Sequence, residues 1–294
     1  MTSVAVVAHS GKTLGGGLTE LRSVLAAEGV VDPLWYEVPK SKRAPKCVRK
    51  ALSDGADLVF VWGGDGMVQR CIDVAAGSNA TMAILPAGTA NLFASNIGIP
   101  KEVAAAVAIG LHGERHAFDV GVVNGEHFAV MAGAGFDALM IRDADGPLKD
   151  RFGRLAYIWT GARNLRSRRV GTRIRVDGKK WFDGKASCVL VGNVGKLIAD
   201  VAAFPGAEPD DGQLEIGVVT AQGAWQWSRA LARTAIGKAE RSPFVHVTRG
   251  KKFDVRFSKK TTYELDGGDR KPVTRLRIKV EPAAITVCVP VPSE

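Results

Sequence analysis

Residues 63–66, Gly-Gly-Asp-Gly, have the side chains and the backbone freedom needed to bind a phosphate group. The apolar run before them, residues 58–62, predicts a buried strand, and Val68, Cys71 and Ile72 recur at helical spacing after them. N–H groups in the first turn of a helix attract phosphate, and glycine lets it approach without a Cβ clash. Asp65 would repel phosphate unless a cation such as Mg²⁺ stood between them. A tight turn with a capping aspartate is the structural alternative.

A second glycine-rich loop, residues 9–17, follows a short predicted strand at residues 4–8. Lys12 in this loop could reach a phosphate as a point charge. The spacing resembles a phosphate-binding loop only loosely, because the pattern GxxxxGKS/T is absent. A solvated loop lysine is the alternative.

A third loop, residues 86–91, leaves a predicted strand at residues 82–85 and enters a helix. Thr89 and Asn91 could cap that helix or contact a ligand. Ligands bind at the carboxyl ends of strands in open α/β sheets, so these loops are candidates for one site.

Two carboxylate sites stand out in the second half of the chain. Asp211 lies in the stretch Pro-Asp-Asp-Gly before a predicted strand and could bind a divalent cation through its oxygen atoms. Asp266 ends a predicted strand in an Asp/Gly loop and could accept a proton from a hydroxyl nucleophile. For both, the alternative is a turn in which aspartate and glycine serve the backbone geometry.

Strands and helices alternate in the first half, which predicts a mostly parallel sheet between two layers of helices. The predicted strands of this half are residues 4–8, 34–38, 58–62 and 82–85, and the predicted helices include residues 48–52 and 101–109. Pro100 is expected in the first turn of the last of these helices.

The pattern changes near Asp119 to alternating segments separated by hairpin signals, Asn124-Gly125 and Asp177-Gly178. This pattern predicts an antiparallel, β-rich domain. The predicted strands are residues 172–176, 180–182, 187–191, 214–219, 253–257, 261–265, 276–280 and 285–289, with helices at 155–165 and 224–236.

Composition limits the class of protein. The 294 residues are 46% hydrophobic with a net charge of +10, which is typical of a globular protein with an anionic partner. The four cysteines form no CxxC pair, so structural zinc and a disulfide framework are not expected. No signal peptide or membrane-spanning run is apparent, and we expect a cytoplasmic protein.

Basic residues cluster in two groups of the second half. They are Arg163, Arg166, Arg168, Arg169, Arg173, Arg175, Lys179 and Lys180, and then Arg249, Lys251, Lys252, Lys259 and Lys260. We favour contact with an anionic membrane surface, at about 1 kcal/mol per basic residue, over solvated loops. The charge would also suit nucleic acid, but aromatic residues are not interleaved for stacking, so no nucleic-acid partner is predicted.

The order of these motifs resembles the diacylglycerol kinase catalytic family, which includes bacterial lipid kinases and sphingosine kinases and is distantly related to NAD kinases. The likeness is carried by Gly-Gly-Asp-Gly at 63–66, Leu-Pro-Ala-Gly-Thr-Ala-Asn at 85–91, Asp-Gly-Gln-Leu at 211–214 and Leu-Asp-Gly at 265–267. It covers nearly the whole chain, and the first two motifs are the most specific.

The resemblance implies an α/β plus all-β fold. Residues 1–118 would form a three-layer α/β nucleotide-binding domain, and residues 119–284 would form a β-sandwich domain that binds the lipid substrate. A last strand at about residues 285–294 would return to the first domain.

The resemblance also implies a chemistry, the transfer of the γ-phosphoryl group of ATP to a lipid hydroxyl with Mg²⁺. The implied nucleotide site consists of Ser10, Gly11, Lys12, Gly63, Gly64, Asp65, Gly66, Gly88, Thr89 and Asn91. Asp65 corresponds to an essential aspartate linked to Mg²⁺–ATP, and Asp211 corresponds to an aspartate of a second magnesium site. Asp266 corresponds to the general base that deprotonates the acceptor hydroxyl.

Several positions depart from the family pattern. Met67 stands in place of threonine, Val7-Ala8 in place of Asn-Pro, Leu92 and Ser95 in place of aspartate and arginine, and Gly268 in place of an acidic residue. These changes bear on nucleotide choice, rate and lipid identity. The three carboxylates remain, and we therefore expect an active enzyme.

Diacylglycerol is the first choice of acceptor, ahead of a sphingoid base or phosphatidylglycerol. A non-catalytic protein that binds nucleotide and lipid is the alternative from another class. A lipid kinase would act as a peripheral protein at the inner face of the membrane, and the resemblance leaves a homodimer as one expectation.

Overall fold

The computed structural model describes residues 3–135, 169–198, 201–235 and 242–291. The predicted helix at residues 155–165 lies outside these ranges, as do Arg163, Arg166 and Arg168 of the first basic group. The chain divides into two compact units. The first contains residues 1–120, 127–129 and 281–294, and the second contains residues 121–126 and 130–280.

The first unit is an α/β domain with a parallel sheet. Its strands are β1 (Val4–His9), β2 (Leu34–Val38), β3 (Leu58–Gly63), β4 (Thr81–Pro86) and the end of β16 (Gly268–Val289), in the order β2-β1-β3-β4-β16. Its helices are α1 (Gly17–Ala27), α2 (Ala44–Ser53), α3 (Asp65–Ala75), α4 (Leu92–Asn96) and α5 (Val103–His112). A 3₁₀ turn, Ser41–Arg43, precedes α2.

Helices cover both faces of this sheet, so the predicted three-layer arrangement is confirmed. Gly110 of α5 packs against Phe60, whereas Met67 of α3 packs against Gly63. Phe60 and Gly63 lie three positions apart on β3 and therefore point to opposite faces. Every residue of β3 and β4 is buried, as a central parallel strand requires.

Two helix boundaries differ from the prediction. The helix predicted at residues 48–52 is α2, which starts earlier because Ala44 and Pro45 fit its first turn, where the N–H that proline lacks would have no partner. The helix predicted at residues 101–109 is α5, and Pro100 lies outside it. Glu102 has an extended backbone, with φ −144° and ψ 133°, and the helix starts only after it.

The second unit is β-rich. Its elements are β5 (Glu114–Val123), β6 (Glu126–Phe128), β7 (Met131–Ala134), β8 (Val170–Val176), β9 (Lys179–Ala186), β10 (Cys188–Gly192), β11 (Lys196–Ile198), β12 (Val201–Ala202), β13 (Leu214–Val219), α6 (Gly223–Ala235), β14 (Val245–Gly250) and β15 (Lys252–Leu265). The first part of β16 belongs to this unit, while β5 and β6 lie partly in the first.

Strand β15 links two sheet segments of the second unit. It pairs with β16 along most of its length, with β8 through its first half and with β7 through its last residues. The chain was predicted to form separate strands at 253–257 and 261–265, but it forms one strand with an irregular register between Arg256 and Thr261. A strand that bends at such an irregularity can pass from one sheet of a sandwich to the other.

The strands predicted at residues 276–280 and 285–289 are likewise one strand, β16. Residues 281–284, which the prediction left between them, belong to the same strand and include Pro282. The structure accommodates this proline with Ala283, whose φ is +47°, and its N–H donates to Asp119 Oδ1 at 2.8 Å.

Both predicted hairpin turns are confirmed. Asn124 and Gly125 have φ of 51° and 96°, and Asp177 and Gly178 have φ of 48° and 82°, as a two-residue turn with positive φ at both positions requires. The pattern missed β7, β11, β12 and β14. The helix predicted at residues 224–236 is present as α6. Among the described residues no helix combines the length and hydropathy needed to span a membrane.

Candidate functional site

Three loops of the first unit leave the carboxyl ends of adjacent strands. They follow β1, β3 and β4, which are neighbours in the parallel sheet. The chain passes from β1 outward to β2 and then crosses back to β3, so the strand order reverses between β1 and β3. Ligands bind at this kind of reversal point in open α/β sheets.

Two glycines allow the loops after β3 and β4 to touch. A Cβ at Gly88 would overlap the Cα of Gly64 and would lie 2.6 Å from Asn91 Oδ1. A Cβ at Gly64 would lie 3.1 Å from the Cα of Gly88. A side chain at Gly88 would therefore clash with the Gly64 backbone, and one at Gly64 would be tight against Gly88.

The other two glycines of the motif behave differently. A Cβ at Gly63 would lie 2.5 Å from the Cβ of Met67, so this glycine serves the packing of α3 on β3. Gly66 is exposed, and a Cβ there would meet nothing within 4 Å. Gly66 thus faces open space at the start of α3, whose N-cap residue is glycine and has no side chain to occupy the first-turn N–H groups. Such a helix start suits an anion.

Asn91 closes the loop after β4. Its Oδ1 accepts from the Gly88 N–H at 2.9 Å, and its Nδ2 donates to the carbonyls of Pro86 and Gly88 at 3.0 and 2.8 Å. Asn91 is buried and has φ +50°, a conformation that asparagine tolerates. Its amide is used to shape the loop, whereas the neighbouring Thr89 is exposed.

Asp65 connects the two loops through its carboxylate. It is the first residue of α3, and its Oδ1 accepts from the Phe93 N–H at the start of α4 at 3.3 Å. Burial raises the pKa of the Asp65 carboxyl, and the N–H groups of Phe93 and Leu92 act in the opposite direction. A cation bound to this carboxylate would offset the cost of burying its charge.

The loop after β1 is fixed by its backbone. The Ser10 N–H donates to the Val38 carbonyl at 3.0 Å, and the Gly11 N–H donates to His9 Nδ1 at 3.1 Å. Trp62 Nε1 donates to the Lys12 carbonyl at 3.0 Å and so ties this loop to β3. The Lys12 side chain is exposed at the same edge of the sheet.

Asp266 is held rigidly in the second unit. Its N–H donates to the Met131 carbonyl at 3.0 Å, and its Oδ1 accepts from the N–H groups of Val130 and Met131 at 3.0 and 2.8 Å. The residue is buried and has φ +45°. Three hydrogen bonds to β7 and the residue before it thus orient a carboxylate at the end of β15.

Glu264, two residues earlier, was not predicted as a functional residue. It is 5% exposed, and its Oε1 has no hydrogen-bond partner. Burial raises the pKa of Glu264 to about 7, helped by the nearby charges of Asp269 and Asp266. Alternation with the buried Tyr263 and Leu265 would have placed this side chain in solvent, so the sequence contained no signal for it.

Asp211 lies in a turn of the second unit. Its Oδ1 accepts from the Gln213 N–H at 2.8 Å, its Oδ2 lies 3.8 Å from Arg249 Nη1, and Gly212 has φ +74°. Burial raises the pKa of nearby Glu215 to about 7, and the charge of Asp211 adds to this rise. Within the described ranges, no three His, Cys, Asp or Glu side chains are grouped to hold a metal ion.

Gly268 leaves room for the guanidinium group of Arg270. A Cβ at this position would lie 2.9 Å from Arg270 Nη1, and Arg270 Nε donates to Glu126 at 2.7 Å. The space next to the backbone of Gly268 is therefore taken by the guanidinium group of Arg270, whose side chain is only 13% exposed.

The first unit brings together the three predicted nucleotide-binding loops. Gly64 contacts Gly88, the Gly88 N–H is hydrogen-bonded to Asn91, and Asp65 is hydrogen-bonded to Phe93 of α4. Asp211 and Asp266 belong to the second unit. Ser10, Lys12, Gly66 and Thr89 remain predicted ligand-binding residues, and Mg²⁺ at Asp65 and Asp211 remains a prediction.

Comparisons with known proteins agree with these motifs. The sequence model of the diacylglycerol kinase catalytic domain matches residues 3–123, and that of the YegS C-terminal NAD kinase β-sandwich-like domain matches residues 130–289. A protein of Pseudomonas aeruginosa named "Probable lipid kinase YegS-like" is 30% identical over 259 residues, covering 84% of this chain and 81% of the relative.

A diacylglycerol kinase of Bacillus subtilis is 29% identical over 219 residues, covering 72% of this chain and 71% of the relative. The crystal structure of a diacylglycerol kinase from Bacillus anthracis superimposes with a TM-score of 0.78 at 23% identity, covering 98% and 96% of the two chains. The match to the Bacillus anthracis structure shows a shared fold.

Proposed function

From the premise that this chain belongs to the diacylglycerol kinase catalytic family and is a lipid kinase, we propose that it transfers the γ-phosphoryl group of ATP to the free hydroxyl of diacylglycerol in an Mg²⁺-dependent reaction. The hydroxyl oxygen forms a bond to phosphorus, the bond between the γ-phosphorus and the β,γ-bridging oxygen breaks, and ADP leaves. The lipid product is phosphatidic acid.

The contact between Gly64 and Gly88 is the observation that carries this proposal. It brings two loops at the carboxyl ends of β3 and β4 close enough to share one phosphate chain. Gly66 at the open start of α3 lets a phosphate approach the backbone, and Lys12 extends from the loop after β1. Phosphoryl transfer depends mainly on such positioning and on charge stabilisation.

Asp65 and Asp211 are the residues that would hold Mg²⁺. Mg²⁺ usually keeps several waters and is bound through one or two protein carboxylates together with phosphate oxygens, so a single aspartate can serve each of two ions, Asp65 the ion at the nucleotide and Asp211 the ion of a second magnesium site. When bound, the metal would neutralise charge on the phosphates. Asp65, half-buried and hydrogen-bonded to Phe93 N–H, is already oriented toward the loops it would serve.

Asp266 is the proposed general base. Its carboxylate would accept the proton that the lipid hydroxyl loses as the oxygen attacks phosphorus. The hydrogen bonds from Val130 and Met131 to Oδ1 fix the direction of the carboxylate, which a base needs before it can act.

The names of the relatives support diacylglycerol as the acceptor. The Bacillus subtilis relative is named a diacylglycerol kinase and is more informative about the acceptor than the relative named only as a lipid kinase. We further propose that the protein works as a peripheral protein at the inner face of the membrane, where diacylglycerol is present.

Transfer of labelled γ-phosphate to a panel of lipids in mixed micelles tests the proposal. The panel contains diacylglycerol, monoacylglycerol, sphingosine and phosphatidylglycerol, each with and without Mg²⁺. Label should enter diacylglycerol alone and only with Mg²⁺. Asp266→Asn should lower kcat by roughly 10²–10⁴-fold, the usual contribution of a general base, while ATP binding is kept.

Asp269→Asn is the matched control, because Asp269 is exposed and lies three residues from Asp266. It should retain most activity. Label in sphingosine or phosphatidylglycerol instead would reassign the acceptor, and an Asp266→Asn variant with full turnover would remove Asp266 from the role of base.

A further inference from the structure

One face of the second unit carries an array of arginine and lysine side chains that no step of the proposed reaction uses. We call it the arginine face. It is formed by three adjacent antiparallel strands and comprises Arg173 and Arg175 of β8, Lys252, Asp254 and Arg256 of β15, and Arg275, Arg277 and Lys279 of β16. The opposite face of the same strands is buried and contains Ile174, Phe253, Val255, Phe257, Leu276 and Ile278.

Strand register places like charges directly opposite each other on this face. Arg256 pairs with Arg173 on one side and with Arg275 on the other, so three arginines form a row across three strands. Lys252 is opposite Lys279. Like charges at facing positions of an antiparallel pair destabilise the sheet. The face therefore carries a cost that an anionic partner would remove.

The face has too few acidic groups to neutralise it. Asp254 accepts from Arg275 Nε and Nη2 at 2.6 and 3.0 Å and from Arg256 Nε at 3.2 Å. Arg173, at the other end of the row, lies 3.5 Å from Asp183 of β9. The Arg173 and Arg256 side chains are 78% and 58% exposed, whereas Arg275 and Asp254 are only 38% and 22% exposed.

Two arginines lie beside Asp254 without pairing to it. Arg175 and Arg277 face Asp254 from the two neighbouring strands, yet neither forms an ion pair with any acidic group in the described part of the chain. Both are exposed. They are free to bind an external anion.

We propose that the arginine face binds the anionic headgroups of a phospholipid membrane. Neighbouring strands lie ~4.8 Å apart and alternate residues ~7 Å apart, so the guanidinium groups are spread over a broad sheet surface. Guanidinium groups bind phosphate through two parallel N–H donors. The proposal deepens the function argued above, because it rests on a lipid kinase that must reach its substrate at a membrane.

The shape of the face favours a membrane over nucleic acid. Reading a duplex requires a helix or a two-stranded ribbon that enters a groove, whereas this face is the side of a continuous sheet. Binding single strands usually needs exposed aromatic side chains for stacking. The aromatic residues of β15 on these rows, Phe253 and Phe257, are buried on the opposite face.

Co-sedimentation with vesicles at about 0.1 M salt tests the proposal. The wild-type chain should bind vesicles of phosphatidylglycerol and phosphatidylcholine and should not bind phosphatidylcholine alone. Combining Arg175→Gln with Arg277→Gln should weaken binding roughly 30-fold, the effect of two charges at about 1 kcal/mol each. Lys46→Gln with Arg49→Gln is the control, since it removes two exposed charges from α2.

The control should bind within about threefold of wild type, because Lys46 and Arg49 lie on α2 of the first unit and are not part of the arginine face. Equal binding by the two double variants, or no binding by wild type, would overturn the proposal. A 20-base-pair duplex is tested in parallel, and a 30-fold loss seen only for the duplex would assign the face to nucleic acid.

Kinase activity on a short-chain, water-soluble diacylglycerol separates this inference from the proposed function. The Arg175/Arg277 variant should keep its activity on that soluble acceptor and lose activity only on vesicles. A wild-type protein that binds anionic vesicles through this face but phosphorylates no lipid would preserve the inference and refute the proposed acceptor chemistry.

Discussion

The two units hold their functional side chains in different ways. In the first unit the polar groups of the loops after β3 and β4 are hydrogen-bonded to one another. The Asn91 amide is bonded to the backbone of Pro86 and Gly88, and the Asp65 carboxylate accepts from the Phe93 N–H. In the second unit Asp266 is satisfied from β7, but Glu264 is left buried with an unpartnered oxygen. The loops proposed to bind phosphate are therefore held by hydrogen bonds within the first unit, whereas the second unit contains a buried carboxylate, Glu264, under electrostatic strain.

The glycine contact in the first unit can be broken directly. Gly88→Ala would place a methyl group against the Gly64 backbone and Asn91, and overpacking should cost about 3 kcal/mol of unfolding free energy. The separated loops should lower kcat/KM for ATP by roughly 10²-fold. Denaturant unfolding and steady-state kinetics measure the two effects.

Gly66→Ala is the matched variant, because an alanine at this exposed position meets no protein atom within 4 Å. Its unfolding free energy should equal that of wild type. Its affinity for ATP should be lower than that of wild type if a phosphate of ATP approaches Gly66. Unchanged ATP affinity would remove Gly66 from the nucleotide site. Equal destabilisation by both variants would contradict the role assigned to the Gly64–Gly88 contact.

The strain in the second unit should appear as a pH dependence of stability. Because burial raises the folded-state pKa of Glu264 to about 7 from 4.5, the folded state holds a proton that the unfolded state releases. The unfolding free energy should therefore be highest below pH 4.5 and fall as pH rises through 7, by about 3 kcal/mol for this group. Glu264→Gln should lack this fall.

Urea denaturation at pH 5 and pH 8 measures this difference. Relative to wild type, the Glu264→Gln variant should gain stability at pH 8 compared with pH 5. A wild-type profile that does not differ from that of the variant would mean that Glu264 finds a partner in solution.

His127 in the first unit should also make the unfolding free energy fall as pH rises, but by a smaller amount. Its pKa is raised by hydrogen-bonded acidic partners, whereas that of Glu264 is raised by burial. His127 Nδ1 lies 3.0 Å from Asp73 and its Nε2 lies 3.0 Å from Glu281, and these partners raise the pKa of His127 above 6.5. The stabilisation is fully present below pH 6.5 and is lost as pH rises through the folded-state pKa.

His127→Gln should therefore cost about 1 kcal/mol at pH 5.5 and less at pH 9, since all three side chains are partly exposed and screened. Denaturant unfolding at these two pH values tests it. A cost that is the same at both values would show that the histidine acts through packing and not through charge.

The first unit was largely predictable because its signals are local. Strand, glycine loop and helix follow one another within about a dozen residues, so Gly63, Asp65 and Gly88 could be found from the spacing of their neighbours. The contact between Gly64 and Gly88 could not, because it depends on β3 and β4 lying side by side. The same is true of Asn91, whose residue type fitted both a cap and a ligand.

The second unit was less predictable because its contacts are distant in sequence. Asp266 was found from its Asp-Gly turn, but its partners Val130 and Met131 lie in and just before a strand that the pattern missed. The arginine face was seen only in part, since the sequence grouped basic residues by proximity. Strand register joins Arg173 to Arg256 and Arg275, which are far apart along the chain.

Strand β16 has a consequence for how the protein is made. Its last residues pair with β4, at Thr286 opposite Thr81, although the intervening chain forms most of the second unit. A ribosome adding about 5–20 residues per second would leave that edge of β4 without its neighbour for tens of seconds. Exposed strand edges invite pairing with other chains. The nascent first unit should therefore depend on chaperones until β16 has been synthesised.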